Sequence, residues 1–72
     1  MSLWMAATLM AAGVVLRPVA NLHSRPTVEA DVVSQAIYGT NLGWLDEAGG
    51  WVRVRTPDDY TGWLEAGSLQ RS

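Results

Sequence analysis

Three groups of side chains in this sequence could do chemistry. His23-Ser24-Arg25 sets an imidazole, a hydroxyl and a guanidinium in a row, Trp51 stands between "GG" and "VRVR", and Tyr38 and Tyr60 each adjoin a turn. An imidazole beside a serine suggests a base and a nucleophile. Neighbours in an extended chain point to opposite faces, however, so His23 and Ser24 do not share a proton. The acidic pairs Asp46-Glu47 and Asp58-Asp59 lie in stretches rich in glycine, proline and aspartate. That is turn composition, whereas paired catalytic acids need an enclosed cleft. What remains is recognition. The Trp51 indole offers a flat apolar body with an N–H at its edge, suited to stacking on a peptide or a sugar ring. His23, Ser24, Arg25, Tyr38 and Tyr60 would add polar contacts around it. The competing reading makes Trp51 a cover over the end of the fold, with Arg53 or Arg55 stacked upon it. Trp63, after Gly62, is expected as an interior plug and Trp44 as a core residue, while Trp4 has no assignment.

These side chains need elements to hold them. "LWMAATLMAA", residues 3–12, consists mostly of helix formers, with Gly13 available as a cap. Strands are expected at Val14–Leu16 and Val19–His23, broken at Arg17-Pro18, because proline removes a ladder donor. "SRPTVEAD" (24–31) is a loop, and "VVSQAIY" (32–38) is a strand rich in β-branched residues. Gly39-Thr40-Asn41 turns the chain into "LGWL", and "DEAGG" (46–50) is expected as a loop whose glycines take positive φ. "WVRVR" alternates cleanly, with Val52 and Val54 on one face and Trp51, Arg53 and Arg55 on the other. "TPDDYT" is a hairpin turn, "GWL" a last strand and "EAGSL" a single 3-10 turn. Five or six short strands at intervals of roughly ten residues predict an all-β chain, a small antiparallel barrel.

The totals narrow the function further. The chain has 72 residues and no cysteine, so neither a disulfide framework nor a cysteine zinc site can staple it. One histidine without a second at ligand spacing makes no metal centre, and nothing in the sequence asks for a cofactor. Five arginines against seven carboxylates give a net charge of −2, which argues against a nucleic-acid surface. The opening "MSLWMAATLMAAGVVL" carries no charge. It lacks the basic n-region of a secretory signal, and Arg17-Pro18 closes it short of the roughly 20 residues a membrane span needs. It is expected as a buried N-terminal segment, with an altered leader or a partner-binding segment as alternatives. The domain reading is an apolar extension over 1–13 and the barrel over 14–72.

"VANLHSRPT", "VVSQAIYGT" and "GGWVRVRTPDDYTGWLEAGSL" together resemble the bacterial SH3-like (SH3b) domain, over about Val19 to Leu69. Its pattern runs from an N-[VL]-R-S-x-P opening through a G-x-W-x-x-V strand to a closing G-W-[VL] and a terminal 3-10 turn. "VSQAIYG" is also similar to the SH3b domains placed ahead of NlpC-type cell-wall cysteine peptidases. The resemblance implies an SH3-like barrel and a non-catalytic module, cell-wall associated and extracytoplasmic. Such a module binds peptidoglycan peptide or docks onto the hydrolase domain, in a cleft between the loop at 24–31 and the loop at 46–50, floored by Trp51. His23 stands where the family's opening carries arginine. Glu65 stands where eukaryotic SH3 domains have a proline, so proline-rich peptides are not the expected ligand. The rival expectation is a structural protein that pairs into a homodimer through the apolar segment 1–16.

Overall fold

The computed structural model describes residues 12–71. The helix expected over residues 3–12, and Trp4 within it, lie outside the described residues except for Ala12, which already belongs to a strand. Seven strands follow in order: β1 (Ala12–Val15), β2 (Val19–His23), β3 (Val32–Ile37), β4 (Asn41–Ala48), β5 (Trp51–Arg55), β6 (Thr61–Glu65) and, after a 3-10 turn at Ala66–Ser68, β7 (Leu69–Arg71). All pair antiparallel in one sheet of order β3-β2-β6-β5-β4-β1-β7. The all-β expectation holds, with β7 as a strand beyond the five or six foreseen. Among the described residues no helix is long and apolar enough to cross a membrane.

The corner at Arg17-Pro18 turns this sheet into a barrel. Val14 faces Asn41 in the β1–β4 ladder, and Val19 faces Ile37 in the β2–β3 ladder. Between them Val15 N–H donates to the Thr40 carbonyl (3.1 Å), Gly39 N–H to Val15 (2.9 Å) and Tyr38 N–H to Pro18 (3.1 Å). The two ladders are therefore one ribbon bent through a corner, and β1 runs on into β2. The ring passes from β2 through β6, β5, β4 and β1 back into β2. Among the described residues only β3 and β7 keep a free edge. Proline suits the corner because it needs no donor there, while its carbonyl still accepts from Tyr38.

One face of every strand fills the interior. Val15, Leu22, Ala36, Leu42, Val54, Leu64 and Leu69, one from each strand, belong to a single buried cluster that Val52 and Ala20 complete. Strand periodicity alone places them: in β5 and β6 the buried residues alternate with half-buried or exposed ones. Gly62 lies in this interior, where a Cβ would come within 2.9 Å of Leu22 Cβ and 3.2 Å of Val33 Cγ2. No larger residue fits between them.

Two expectations are corrected. The loop at 46–50 is instead the end of β4, which runs to Ala48 and pairs Asp46, Glu47 and Ala48 with Arg53, Val52 and Trp51. A register shift at Leu45 absorbs the change of face, and the connection shrinks to Gly49 and Gly50, both at positive φ (51° and 86°). That is the two-residue hairpin turn whose twist matches the strands. Trp63 is not an interior plug. Gly62 and Leu64 take the inward positions of β6, which puts Trp63 on the outer face, half-buried. Trp44 keeps its expected place against the core as a partly buried neighbour.

Candidate functional site

β5 lays Trp51 and Arg53 on the outer face of the barrel, because Val52 and Val54 take the inside. The ladders set His23 of β2 opposite Trp63 of β6, Trp63 opposite Arg53, and Trp51 opposite Glu65. On this face the imidazole of His23 meets the indole of Trp51 edge to face, with ring centroids 5.4 Å apart and planes at 89°. In that geometry the positive edge of one ring meets the negative face of the other.

The loop after β2 fixes His23. His23 Nδ1 lies 2.9 Å from the carbonyl oxygen of Ala30. A carbonyl only accepts, so this nitrogen carries the hydrogen and Nε2 is left as the ring's other polar atom. Ala30 is itself buried, and the loop is tied by Ser24 N–H to the Asp31 carbonyl (2.9 Å), Thr27 N–H to Arg25 (2.8 Å) and Ala30 N–H to Thr27 (3.1 Å). These bonds fold the loop back upon itself and upon His23. Arg53 is anchored on its other side. Its Nε donates to Asp46 Oδ2 at 2.9 Å, and its Nη2 donates to the same oxygen.

The expected cleft is absent. Among the described residues no pocket forms. Its two walls fail for separate reasons: the 24–31 loop closes on itself, and the 46–50 loop is strand and tight turn. Trp51 sits on an open shelf, half-buried rather than sealed inside. The shelf presents two indoles and an imidazole, with Arg53 and Glu65 at its margins.

Of the residues singled out in the sequence, the structure joins His23 and Trp51, with Ser24 and Arg25 following on the exposed start of the loop. The tyrosines stand apart. Tyr38 lies beyond Ile37, which faces Val19 at the opposite end of β2 from His23, about 13 Å along the strand. Tyr60 closes the β5–β6 hairpin at the end away from Trp51; its N–H donates to Thr56 Oγ1 (3.0 Å) and its ring is exposed. Trp63 and Glu65 are additions that the sequence reading missed. The signal for both was present, because inward Gly62 and Leu64 leave Trp63 and Glu65 on the face of Trp51. Among the described residues no group of three His, Cys, Asp or Glu side chains could hold a metal ion.

Comparison with known families places the chain. The model of the bacterial SH3 domain matches residues 18–70, from the proline at the corner to the middle of β7. No curated protein matches the chain. The chain belongs to the bacterial SH3 domain family, whose members are non-catalytic binding modules.

Proposed function

From this family membership we propose that the His23–Trp51 shelf binds the peptide of the bacterial cell wall and thereby holds a neighbouring hydrolase, of the NlpC type, on its substrate. The observation that supports the reading is the edge-to-face pair itself. His23 is fixed by the Ala30 carbonyl and braces one side of the Trp51 indole, so stacking on that indole costs little further ordering. Arg53 lies on the same face as Trp51, and Arg25 follows His23 by two residues on the exposed start of the loop. Both guanidiniums suit the carboxylates of a stem peptide, while His23 Nε2 is left to accept a hydrogen bond from a peptide N–H. The shelf has no enclosing walls, so water keeps access to every polar contact.

Affinity is accordingly weak. Aromatic stacking contributes about 0.5–1.5 kcal/mol beyond area burial, and an open surface of this size fits a dissociation constant between roughly 1 µM and 1 mM. Such binding serves a tethered enzyme by raising its local concentration on the wall. Titration of the full chain with soluble muropeptides, followed through the Trp51 indole N–H resonance, is the direct test. We expect that resonance and the Trp63 indole to move together and saturate in the millimolar range. Trp51→Ala should weaken binding by about 2- to 12-fold, the equivalent of that stacking energy. Unmoved indole resonances at millimolar muropeptide would remove the proposal.

A further inference from the structure

Among the described residues β3 has no hydrogen-bonded neighbour on its outer side, and the surface around it is apolar. Ile37 and Tyr38 are 64% and 67% exposed, and Leu16, Val19, Val32 and Val33 are all large exposed hydrophobics. Exposed edges in soluble proteins are commonly blunted with a charge, a proline or a bulge. The other edge, β7, is only three residues long and carries Arg71, which is bound to Glu47. β3 has a bulge at its Val33 end and nothing more. From Ser34 to Ile37 it is in unbroken register with β2, and "VVSQAIY" contains neither charge nor proline.

The ladder identifies the free backbone groups. Tyr38 N–H points to β2, where it meets the Pro18 carbonyl. Backbone direction alternates along a strand, so Ser34 and Ala36 also face β2, and the amides of Gln35 and Ile37 face outward. Only another extended strand can satisfy such a row.

We propose that β3 pairs antiparallel with β3 of a second copy about a two-fold axis at Ala36. The axis sets Gln35 of each copy opposite Ile37 of the other, so all the outward amides find carbonyls at once. Self-pairing places like side chains near one another, and an uncharged strand is the kind that tolerates this. Ile37, with Val19 beside it on β2, then meets Gln35 of the other copy on the outer face, and exposed apolar surface is covered. His23 lies at the far end of β2, so each copy keeps its shelf. The dimer carries two, a bivalent arrangement that raises avidity for a repeating polymer without any new contact.

The test uses the full 72-residue chain. Sedimentation equilibrium from micromolar to millimolar protein should show the mean mass rising toward twice that of the chain. Over the same range the Gln35 and Ile37 amides should slow in hydrogen exchange by about tenfold, the slowing expected once nine-tenths of the chains are paired. Ile37→Lys places a charge on an already exposed position. It should keep the thermal melting curve of the dilute wild type and hold the mass at that of one chain. The proposal is overturned if the mass stays monomeric to millimolar with both amides fast, or if a dimer forms while they remain fast. Protection of both amides at every concentration would likewise overturn it, because a segment of the same chain, or another occupant, would then cover the edge.

Discussion

At the scale of single residues, Gly62 shows how little spare volume the barrel has. The Cβ of an alanine there would lie 2.9 Å from Leu22 Cβ and 3.2 Å from Val33 Cγ2. Leu22 is fully buried on β2 and cannot withdraw, so the strands must part. Overpacking of this kind costs about 1–3 kcal/mol, and we expect Gly62→Ala to lower the unfolding free energy from urea titration by that amount, with a lower midpoint and an unchanged slope. An alanine tolerated within a few tenths of a kcal/mol would mean that β2 and β6 are not so closely apposed. The same residue explains what the sequence hid at the site. "TGWLE" can be read with either tryptophan or glycine inward, and size alone favours the tryptophan. The interior contact of Gly62 reverses that choice and turns Trp63 out beside His23. The alternation of "WVRVR" was legible because two valines mark the inner face without ambiguity. His23 was grouped with Trp51 at the sequence level, but their ring contact was not legible there, because it depends on the long-range pairing of β2 with β6.

At the scale of the elements, the most informative is β7, which the sequence did not reveal. "LQR" has no β-branched residue and no alternation long enough to register, so its propensity is weak. Tertiary contacts hold it instead. β1 pairs with it along Gly13–Val15, and Arg71 reaches past β1 to lie over the Trp44 indole at 4.6 Å while its Nη1 donates to Glu47 Oε2 at 3.3 Å. Trp44 Nε1 donates to that same oxygen at 2.9 Å, so Glu47 gathers the indole and the guanidinium together. The pair is solvent-exposed and worth about 0.5–1 kcal/mol, enough to hold a terminal strand but not the whole fold. Arg71→Ala should therefore speed exchange of the β7 amides several-fold and leave those of β5 unchanged. Equal acceleration in both strands would show that β7 does not open separately. The missed extension of β4 through Asp46–Ala48 has a parallel cause. "DEAGG" has turn composition throughout, yet only Gly49 and Gly50 need positive φ, and once they turn the chain the three residues before them must pair with β5. Replacing Gly50, at φ 86°, with alanine should cost about 1–2 kcal/mol in the melting equilibrium, and asparagine less, because it tolerates the left-handed region better.

At the scale of the whole molecule, stability rests on one small cluster of aliphatic side chains, since the chain has no cysteine and every ion pair among the described residues lies on the surface. Among the described residues the ion pairs are Asp46–Arg53, Arg55–Asp59 and Glu47–Arg71, and all are solvent-accessible, with Arg53 the least exposed member at 39%. Pairs of that kind contribute about 0–1 kcal/mol each and fade with salt. Domains hold roughly 0.05–0.15 kcal/mol per residue, so a chain of 72 residues has about 4–11 kcal/mol in all. Leu64 is 1% exposed and lies in the cluster to which all seven strands contribute. Truncating such a leucine costs about 2–5 kcal/mol, a large share of that total. For a domain of this length each kcal/mol moves the midpoint by about 4–8 °C, so Leu64→Ala should lower Tm by at least about 8 °C and in the worst case unfold the chain at room temperature. Raising sodium chloride to about 1 M should instead weaken the ion pairs together by no more than about 3 kcal/mol, while salting-out strengthens burial in the opposite sense. The two measurements divide the causes of stability. A salt effect larger than that of Leu64→Ala would place the weight on the surface charges, and would contradict a barrel held together by what its seven strands bury.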